Sequence, residues 1–523
     1  MLDKESLVGG RQAKITLILL VLVYVFNFID RQILSVLAED IKMDLNISDS
    51  DIGFLFGTAF AIFYSVFGIP LGKLSDVWSR RKIISLGLGT WSLMTALSGT
   101  ARSFTSLAIF RFGVGIGESS ASPATYSMLS DYFSPKVRST VLAIYASGLY
   151  IGAGIGIFLG GWIVDLWNNA FPDISLAPFG LRGWQVAFMA VGIPGIILAF
   201  FTWQIKEPPR GLSENISSPE SLSPFREMLK EFIGITPFGL LASPNLIKEI
   251  LVNLFIGLTI FYSMFALIIF TGDRVQWIAF GIGLYLLSCW IQGMKHRDLG
   301  VYQIIFKSKA LIASSIGFGS IAFVTYSISA WVPSFYIRNH GISEAEAGTV
   351  LGLTAAIGGI IGTISGGILG DLLKRNYPNG RLYIGYIVVI LTIPLCLGLL
   401  YAENLYVSYI CNFLFHIVTP LWVGIGPATV SDLVLPRMRA LAGAFYLLIV
   451  SMIGLALGPY SVGFISNTLQ DQGMNDGESL KFALASSLVI LVITIIALSF
   501  AGKYLAKEER SLLSKAKSLG EIF

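Results

Sequence analysis

"SDYFSPKVRSTVLA" (130–143) returns 301 positions later as "SDLVLPRMRALAGA" (431–444). Ser130 aligns with Ser431, Asp131 with Asp432, Pro135 with Pro436, Arg138 with Arg439 and Ala143 with Ala444. A second match keeps the same order: Gly72-x-Leu-x-Asp76 returns as Gly367-x-Leu-x-Asp371, 295 positions on. Two ordered matches at similar offsets mark a duplicated chain, so the fold is expected to consist of two parallel halves.

Composition sets the solvent for those halves. Of the 523 residues 54% are apolar and 13% charged, and the mean hydropathy is +0.74, whereas soluble domains carry roughly 25% charged residues. The chain is therefore an all-α polytopic membrane protein. A bilayer core of about 30 Å takes roughly 20 apolar residues per helix. Such runs fall near 15–39, 51–71, 83–101, 105–130, 138–164, 184–205, 247–271, 274–293, 309–337, 347–370, 383–401, 405–430, 438–465 and 481–502, fourteen in all. The first run is too long for a signal peptide and no small-residue cleavage site follows it, so it is expected to stay as the first helix. Cys289, Cys396 and Cys411 all lie in apolar runs and form no Cys-x-x-Cys pair, which excludes a disulfide framework, a metal site and redox chemistry.

Alternate connections are basic, "GKLSDVWSRRK" (72–82), "SPKVRS" (134–139), 206–248, "LLKRNYPNGR" (372–381), "LPRMR" (435–439) and "KYLAKEER" (503–510), and the others are acidic, at 39–51, 343–348 and 471–478. By the positive-inside rule both termini are expected in the cytoplasm, and the lack of an organelle signal favours a plasma or bacterial inner membrane, with a eukaryotic endolysosomal membrane as the alternative. Matching the halves gives a six-helix bundle over 1–205, an insert over 206–308, a second bundle over 309–502 and a tail over 503–523. The insert holds a Pro/Ser-rich linker, "EPPRGLSENISSPESLSPF", a short surface helix at "REMLKEF" and an extra transmembrane hairpin over about 247–293 that turns at "TGDR" (271–274).

"GKLSDVWSRRK", with Gly72, Asp76, Arg80, Arg81 and Lys82, and its copy at Gly367 and Asp371, resembles the cytoplasmic gate signature of the major facilitator superfamily. Gly72 is expected to permit close helix approach, and Asp76 to accept from helix ends and basic neighbours in an arrangement that breaks and reforms. "FNFIDRQILSVL" and "RFGVGIGESSASPATYSMLSDYF" (111–133) further resemble the Spinster branch of that superfamily. The resemblance covers the twelve-helix core and implies alternating access with a sphingolipid or lysophospholipid as substrate.

Four ionisable groups fall inside apolar runs. Asp30 lies about 22 Å from the cytoplasmic start of its helix and Arg111 about 9 Å below the outer surface at 1.5 Å per residue, so they meet at one level. Arg111 and Glu118, seven apart, share a helix face. Burying such a charge costs at least about 2.5–3.5 kcal/mol. The expectation is a switch in which Asp30 pairs with Arg111 in one conformation and Glu118 takes up a proton when the pair rearranges, with Arg111 also a seat for an anionic head group. A static bridge that fixes packing is the bland alternative. Arg31 either lines the cavity as an accessory or braces a neighbouring helix. Gly113, Gly115 and Gly117 are read as helix packing, since no strand precedes them to make a nucleotide loop. Gly152, Gly156 and Gly161, with counterparts Gly454, Gly458 and Gly463, are read in the same way.

The C-terminal half is poor in such charge. His416 is a packing residue or an accessory proton relay, and Tyr326, Ser329, Trp331, Asn412 and Thr419, with Asn27 opposite, are candidates for a polar and aromatic cavity wall. A cavity charged on one side and apolar on the other suits a molecule with an ionic head and a hydrocarbon tail. The function expected is proton-coupled secondary active transport of an amphipathic lipid-like anion by a monomer that contacts protons and membrane lipids but no cofactor, metal or nucleic acid. A drug exporter, a small organic anion carrier and a lipid sensor or scaffold are the alternatives. An enzyme is excluded by the lack of Gly-x-Ser-x-Gly and His-Glu-x-x-His, and ATP drive by the lack of a phosphate loop.

Overall fold

The computed structural model describes residues 8–134, 137–210, 212, 223–435 and 438–520. Pro135 and Pro436 of the repeat, the side chains of Arg138 and Ala143, and residues 211 and 213–222 of the linker lie outside that description. Helix is the regular structure of the described residues, and no strand occurs among them.

In chain order the helices are α1 (Arg11–Leu45), α2 (Asp49–Phe56), α3 (Thr58–Val77), α4 (Arg80–Ser98), α5 (Phe104–Glu118), α6 (Ala121–Tyr132), α7 (Arg138–Ala170), α8 (Gly183–Trp203) and α9 (Pro224–Gly234). The hairpin is α10 (Leu246–Thr271) and α11 (Arg274–Arg297). There follow α12 (Lys309–His340), α13 (Glu344–Asn376), α14 (Gly380–Tyr401), α15 (Leu405–Val418), α16 (Ile425–Asp432), α17 (Arg439–Val450), α18 (Gly458–Asp471), α19 (Asp476–Ser486) and α20 (Leu491–Ser518). Among the described residues twelve stretches are long and apolar enough to cross a membrane, including both arms of the hairpin. The other two expected runs are helical as well, but α4 is too polar and α5–α6 too interrupted to meet that standard.

Local chemistry sets the breaks. Asn46 ends α1 in the left-handed conformation, at φ 50°, and returns its amide to the Lys42 carbonyl, a conformation Asn tolerates better than most residues. Ser48 and Asp51 then form a capping box that starts α2. The run expected over 105–130 is broken at Ser119–Ser120, so Glu118 is the last residue of α5. A π-helical turn at Ser451–Ala456 interrupts the run expected over 438–465.

The helices gather into two compact units. The first contains the described residues up to Ile47, Phe63–Phe232 and Gly341–Ile357; the second contains Ser48–Ile62, Ile233–His340 and the described residues from Gly358. These units do not follow the repeat halves, because each takes in one end of a helix from the other half. In the first unit a Cβ on Gly161 would collide with the Glu344 carbonyl oxygen, and in the second a Cβ on Gly463 would collide with that of Asp49. Only glycine lets these backbones touch, and the two contacts are repeat counterparts. Gly57, between α2 and α3, likewise sits against the Leu455 carbonyl, while the Thr58 hydroxyl donates to the Ala456 carbonyl at 2.7 Å. The π turn presents that carbonyl where α3 begins.

In the hairpin α10 is exposed along nearly its whole length, which suits lipid, while α11 packs inward. Polar bonds tie the arms together: Gln292 Nε2 donates to Glu249 Oε2 at 2.7 Å, Asn253 Nδ2 to Gln292 Oε1 at 3.1 Å and Tyr285 to Asn253 Oδ1 at 2.7 Å. The turn is fixed to α18 by the Tyr460 hydroxyl, which donates to Asp273 Oδ2 at 2.7 Å.

Candidate functional site

The intramembrane charges come together in the first unit. α1 supplies Asn27, Asp30 and Arg31, and α5 supplies Arg111 and Glu118, all buried. Arg31 Nη2 donates to Glu118 Oε2 at 2.5 Å, and Arg111 Nη1 donates to the main-chain carbonyl of Asp30 at 3.1 Å. Asn27 lies beside Glu118. The Arg31 guanidinium also covers the rings of Phe28 and Tyr64, at 4.7 and 5.5 Å from their centroids, an arrangement favourable to a desolvated cation. Below it Tyr24 stacks on Tyr145 at 4.4 Å, and Tyr126 meets Tyr145 edge-on at 5.6 Å.

In this structure the pairing differs from the Asp30–Arg111 pair expected for one conformation of the switch. Arg111 reaches the backbone of Asp30 rather than its carboxylate, and Arg31, expected as an accessory, is the ion-pair partner of Glu118. Neighbours on a helix point about 100° apart, so Asp30 and Arg31 cannot serve the same face of α5. The Asp30 carboxylate turns to α4, where the Ser92 and Thr95 hydroxyls lie beside it but outside hydrogen-bonding geometry. Both Asp30 oxygens and both hydroxyls are buried without a hydrogen-bond partner among the described residues.

The first gate motif is built around Arg80 and not around Asp76. Arg80, fully buried, pairs with Asp131, and its Nε donates to Glu207 Oε1 at 3.0 Å. In the repeat copy Arg381 pairs with Asp432 and, at 3.3 Å, with Asp371. Arg381 and Asp432 each lie 301 positions after Arg80 and Asp131, the offset of the longer repeat match. The sequence reading quoted all four residues without joining them, because the loop after Asp371 is six residues longer than the loop after Asp76 and hides the correspondence. Asp76 is exposed and makes no hydrogen bond or ion pair among the described residues. Gly72 does not serve a close approach either: a Cβ there would meet only Pro123 Cγ at 4.0 Å, and one on Gly367 would meet nothing within 4 Å. Arg81 donates to the Ile205 carbonyl at 3.2 Å, and Lys82 lies over Trp78 and Trp203 at 5.6 and 5.9 Å.

Glu207 is the keystone of this corner. Burial pushes its carboxyl up, but the Ser79 hydroxyl, the Arg80 amide and the Arg80 guanidinium all donate to it and hold it below the ordinary carboxylate value. A depressed carboxylate contributes stability above its unfolded value, near 4.3, and loses it as pH falls through the lower folded value. Glu207→Gln is therefore expected to unfold about 1.5–3 kcal/mol more easily at pH 7, with the gap to wild type closing below about pH 4. Thermal melts of the detergent-solubilised protein across pH check this, and a gap that persists unchanged in acid would contradict it.

The C-terminal candidates divide. Trp331 is buried with its indole N–H donating to the Pro459 carbonyl at 2.9 Å, and the Thr419 hydroxyl donates to the Phe415 carbonyl at 2.8 Å. Both are used in the packing of the second unit, and Asn412 is buried with them. Tyr326 and Ser329 are half-buried. His416 hydrogen-bonds through Nδ1 to the Asn412 carbonyl one turn back at 2.9 Å, and its Cβ would lie 2.9 Å from one built on Gly358, as a packing residue would.

The sequence reading missed one charged cluster altogether. Asp49 Oδ1 and Oδ2 accept from Arg338 Nη2 and Nη1 at 2.8 and 2.9 Å, and Asp49 Oδ2 also accepts from Ser466 and Gln470 at 2.8 and 3.1 Å. Asp49 had been counted as one more charge in an acidic loop, and the available signal was its place in the first turn of α2.

A chain of paired six-helix repeats with buried charges on its first and fourth core helices is a membrane transporter of the major facilitator type. The model of the Major Facilitator Superfamily matches residues 20–459, and the chain belongs to that superfamily. Within it the chain resembles the Spinster branch. It is 24% identical to protein spinster of Drosophila melanogaster, over 97% of this chain and 71% of that one, and 23% identical to human protein spinster homolog 1, over 92% and 80%. It is also 25% identical to an MFS-type efflux pump of Mycolicibacterium smegmatis, over 88% and 86%. Among solved structures, a bacterial homologue of the human lysosomal transporter Spinster in an inward-facing, occupied conformation matches with a TM-score of 0.68 and 26% identity, covering 96% of this chain and 98% of that one.

Proposed function

We propose that this transporter is proton-coupled and carries an amphipathic lipid-like anion by alternating access, as a monomer with both termini in the cytoplasm. The observation that carries the coupling is Asp30: a fully buried carboxylate with no hydrogen-bond partner among the described residues, one residue from an ion pair. A charge at that depth costs at least about 2.5–3.5 kcal/mol, and a bound proton removes the cost. Arg31 and Arg111 supply the positive charge an anionic head group needs, and the rings of Phe28, Tyr64, Tyr24 and Tyr145 supply apolar surface beside it. The lipid substrate is what the resemblance of the sequence motifs to the Spinster branch implies. The likeness to the mycobacterial efflux pump favours a second reading, export of hydrophobic compounds by the same proton step.

The test is uptake of labelled lysophospholipid or sphingosine phosphate into proteoliposomes with and without a pH gradient. Asp30→Asn is expected to retain counterflow and to lose at least about tenfold of the gradient-driven uptake. If neither lipid moves while a hydrophobic cation does, the second reading replaces the first. If Asp30→Asn responds to the gradient like wild type, Asp30 is not the proton site.

A further inference from the structure

α9 (Pro224–Gly234) has its polarity turned inside out for a helix in water. Phe225, Leu229, Phe232 and Ile233 are exposed, while Glu227 points to the protein and pairs with Lys73 Nζ at 3.4 Å. The exposed positions follow the i, i+4, i+7, i+8 spacing of one helix face. Two ring contacts fix α9 along α3, Phe225 with Trp78 at 5.0 Å and Phe232 with Phe67 at 5.8 Å between centroids. The run of exposed apolar side chains continues at Phe238 and Leu241 and leads into α10, which is exposed as a lipid-facing span should be. Arg226 and Lys230, one turn apart on α9, are exposed as well.

We propose that α9 is an interfacial helix that sits at the boundary of head groups and acyl chains, with Arg226 and Lys230 on the phosphates of anionic lipid in the leaflet at the basic end of the protein. Two features select lipid over a protein partner. The exposed apolar positions of α9 keep one helix face, and the charges that flank them are cations, the combination that holds a helix in an anionic leaflet. The inference is independent of what is transported. It gives the bilayer a handle on α3, the helix that carries Gly72 and Asp76, through the Lys73–Glu227 pair and the two ring contacts.

The test uses the full-length protein with Cys289, Cys396 and Cys411 replaced by Ala and a bimane fluorophore on Leu229→Cys. It is reconstituted in phosphatidylcholine vesicles with or without phosphatidylglycerol. Quenching by lipids spin-labelled near the glycerol end of the acyl chain is expected to exceed quenching by iodide. Each cation strengthens association with an anionic surface roughly fivefold, so phosphatidylglycerol should raise lipid quenching, and Arg226→Gln/Lys230→Gln should remove that rise while leaving quenching in pure phosphatidylcholine unchanged. Stronger quenching by iodide in both vesicle types would place the helix in water and overturn the proposal, leaving the face to a protein partner. Lipid quenching that ignores phosphatidylglycerol would overturn the assignment of the two cations. Bimane on Leu251→Cys in α10 serves as the reference, and iodide quenching there would show a misfolded sample.

Discussion

Arg31→Met is expected to unfold about 3–5 kcal/mol more easily than wild type, because it strands the Glu118 carboxylate in a buried site without its counter-ion. Adding Glu118→Gln should recover most of that loss. A buried pair replaced whole by neutral groups of similar volume is often close to neutral in stability, since desolvation of both charges disappears with their attraction. Transport separates the roles of the pair. If Arg31 and Glu118 serve the transport cycle, the double variant folds like wild type yet carries labelled substrate at least about a hundredfold more slowly. If the pair only fixes α1 against α5, the repaired double variant transports at the wild-type rate. Thermal melts and counterflow on the same three preparations distinguish the cases, and counterflow needs no gradient, so the result does not depend on which group binds the proton.

That experiment turns on a detail the sequence could not supply. Apolar run length was enough for the helices, because it rests on a pattern spread over many residues, and the superfamily came from the resemblance of the gate motif and its copy. Partner choice rests on single directions. Asp30 and Arg31 differ by one position, and the turn at Ser119–Ser120 that ends α5 at Glu118 is marked by Pro123, whose missing N–H leaves the Ser119 carbonyl without its helical bond, a single-residue signal inside an apolar run. Depth arithmetic placed Asp30 level with Arg111 and was right about proximity, yet the contact is made through a backbone carbonyl, which no side-chain inventory anticipates. Trp331 illustrates the converse. An aromatic residue beside polar neighbours on a helix reads as a wall, but its N–H is taken up by a carbonyl on α18, a partner 128 positions away. The Arg80–Asp131 and Arg381–Asp432 pairs were within reach of the sequence, had the shift between the two repeat offsets been read as an insertion in one loop.

The second large effect is expected at Asp49. Its carboxylate is fully buried, Arg338 is nearly so, and four donors converge on it from Arg338, Ser466 and Gln470. Asp49→Asn replaces one acceptor oxygen by an amide that faces the guanidinium with its own hydrogens. It should destabilise the protein by about 3–5 kcal/mol, the range for one partner lost from a buried pair. Asp476 offers an internal control, because it also pairs with Arg338, at 3.2 Å, but its side chain is half exposed. Asp476→Asn is expected to cost no more than about 1 kcal/mol, as exposed pairs do. The segment involved is short and separable: α2 ends at Gly57, and Ser48–Ile62 belongs to the second unit although the rest of that helical stretch belongs to the first. Loss of the Asp49 bonds should therefore free this segment before the units themselves unfold. A cysteine at Ser50, which is buried in the wild-type fold, should then react with a membrane-impermeant thiol reagent faster in the Asp49→Asn background than in the Asp476→Asn background. Equal reactivity in the two backgrounds, together with equal melting temperatures, would mean that the glycine-lined backbone contacts at Gly53 and Gly463 hold α2 in place without the ion pair.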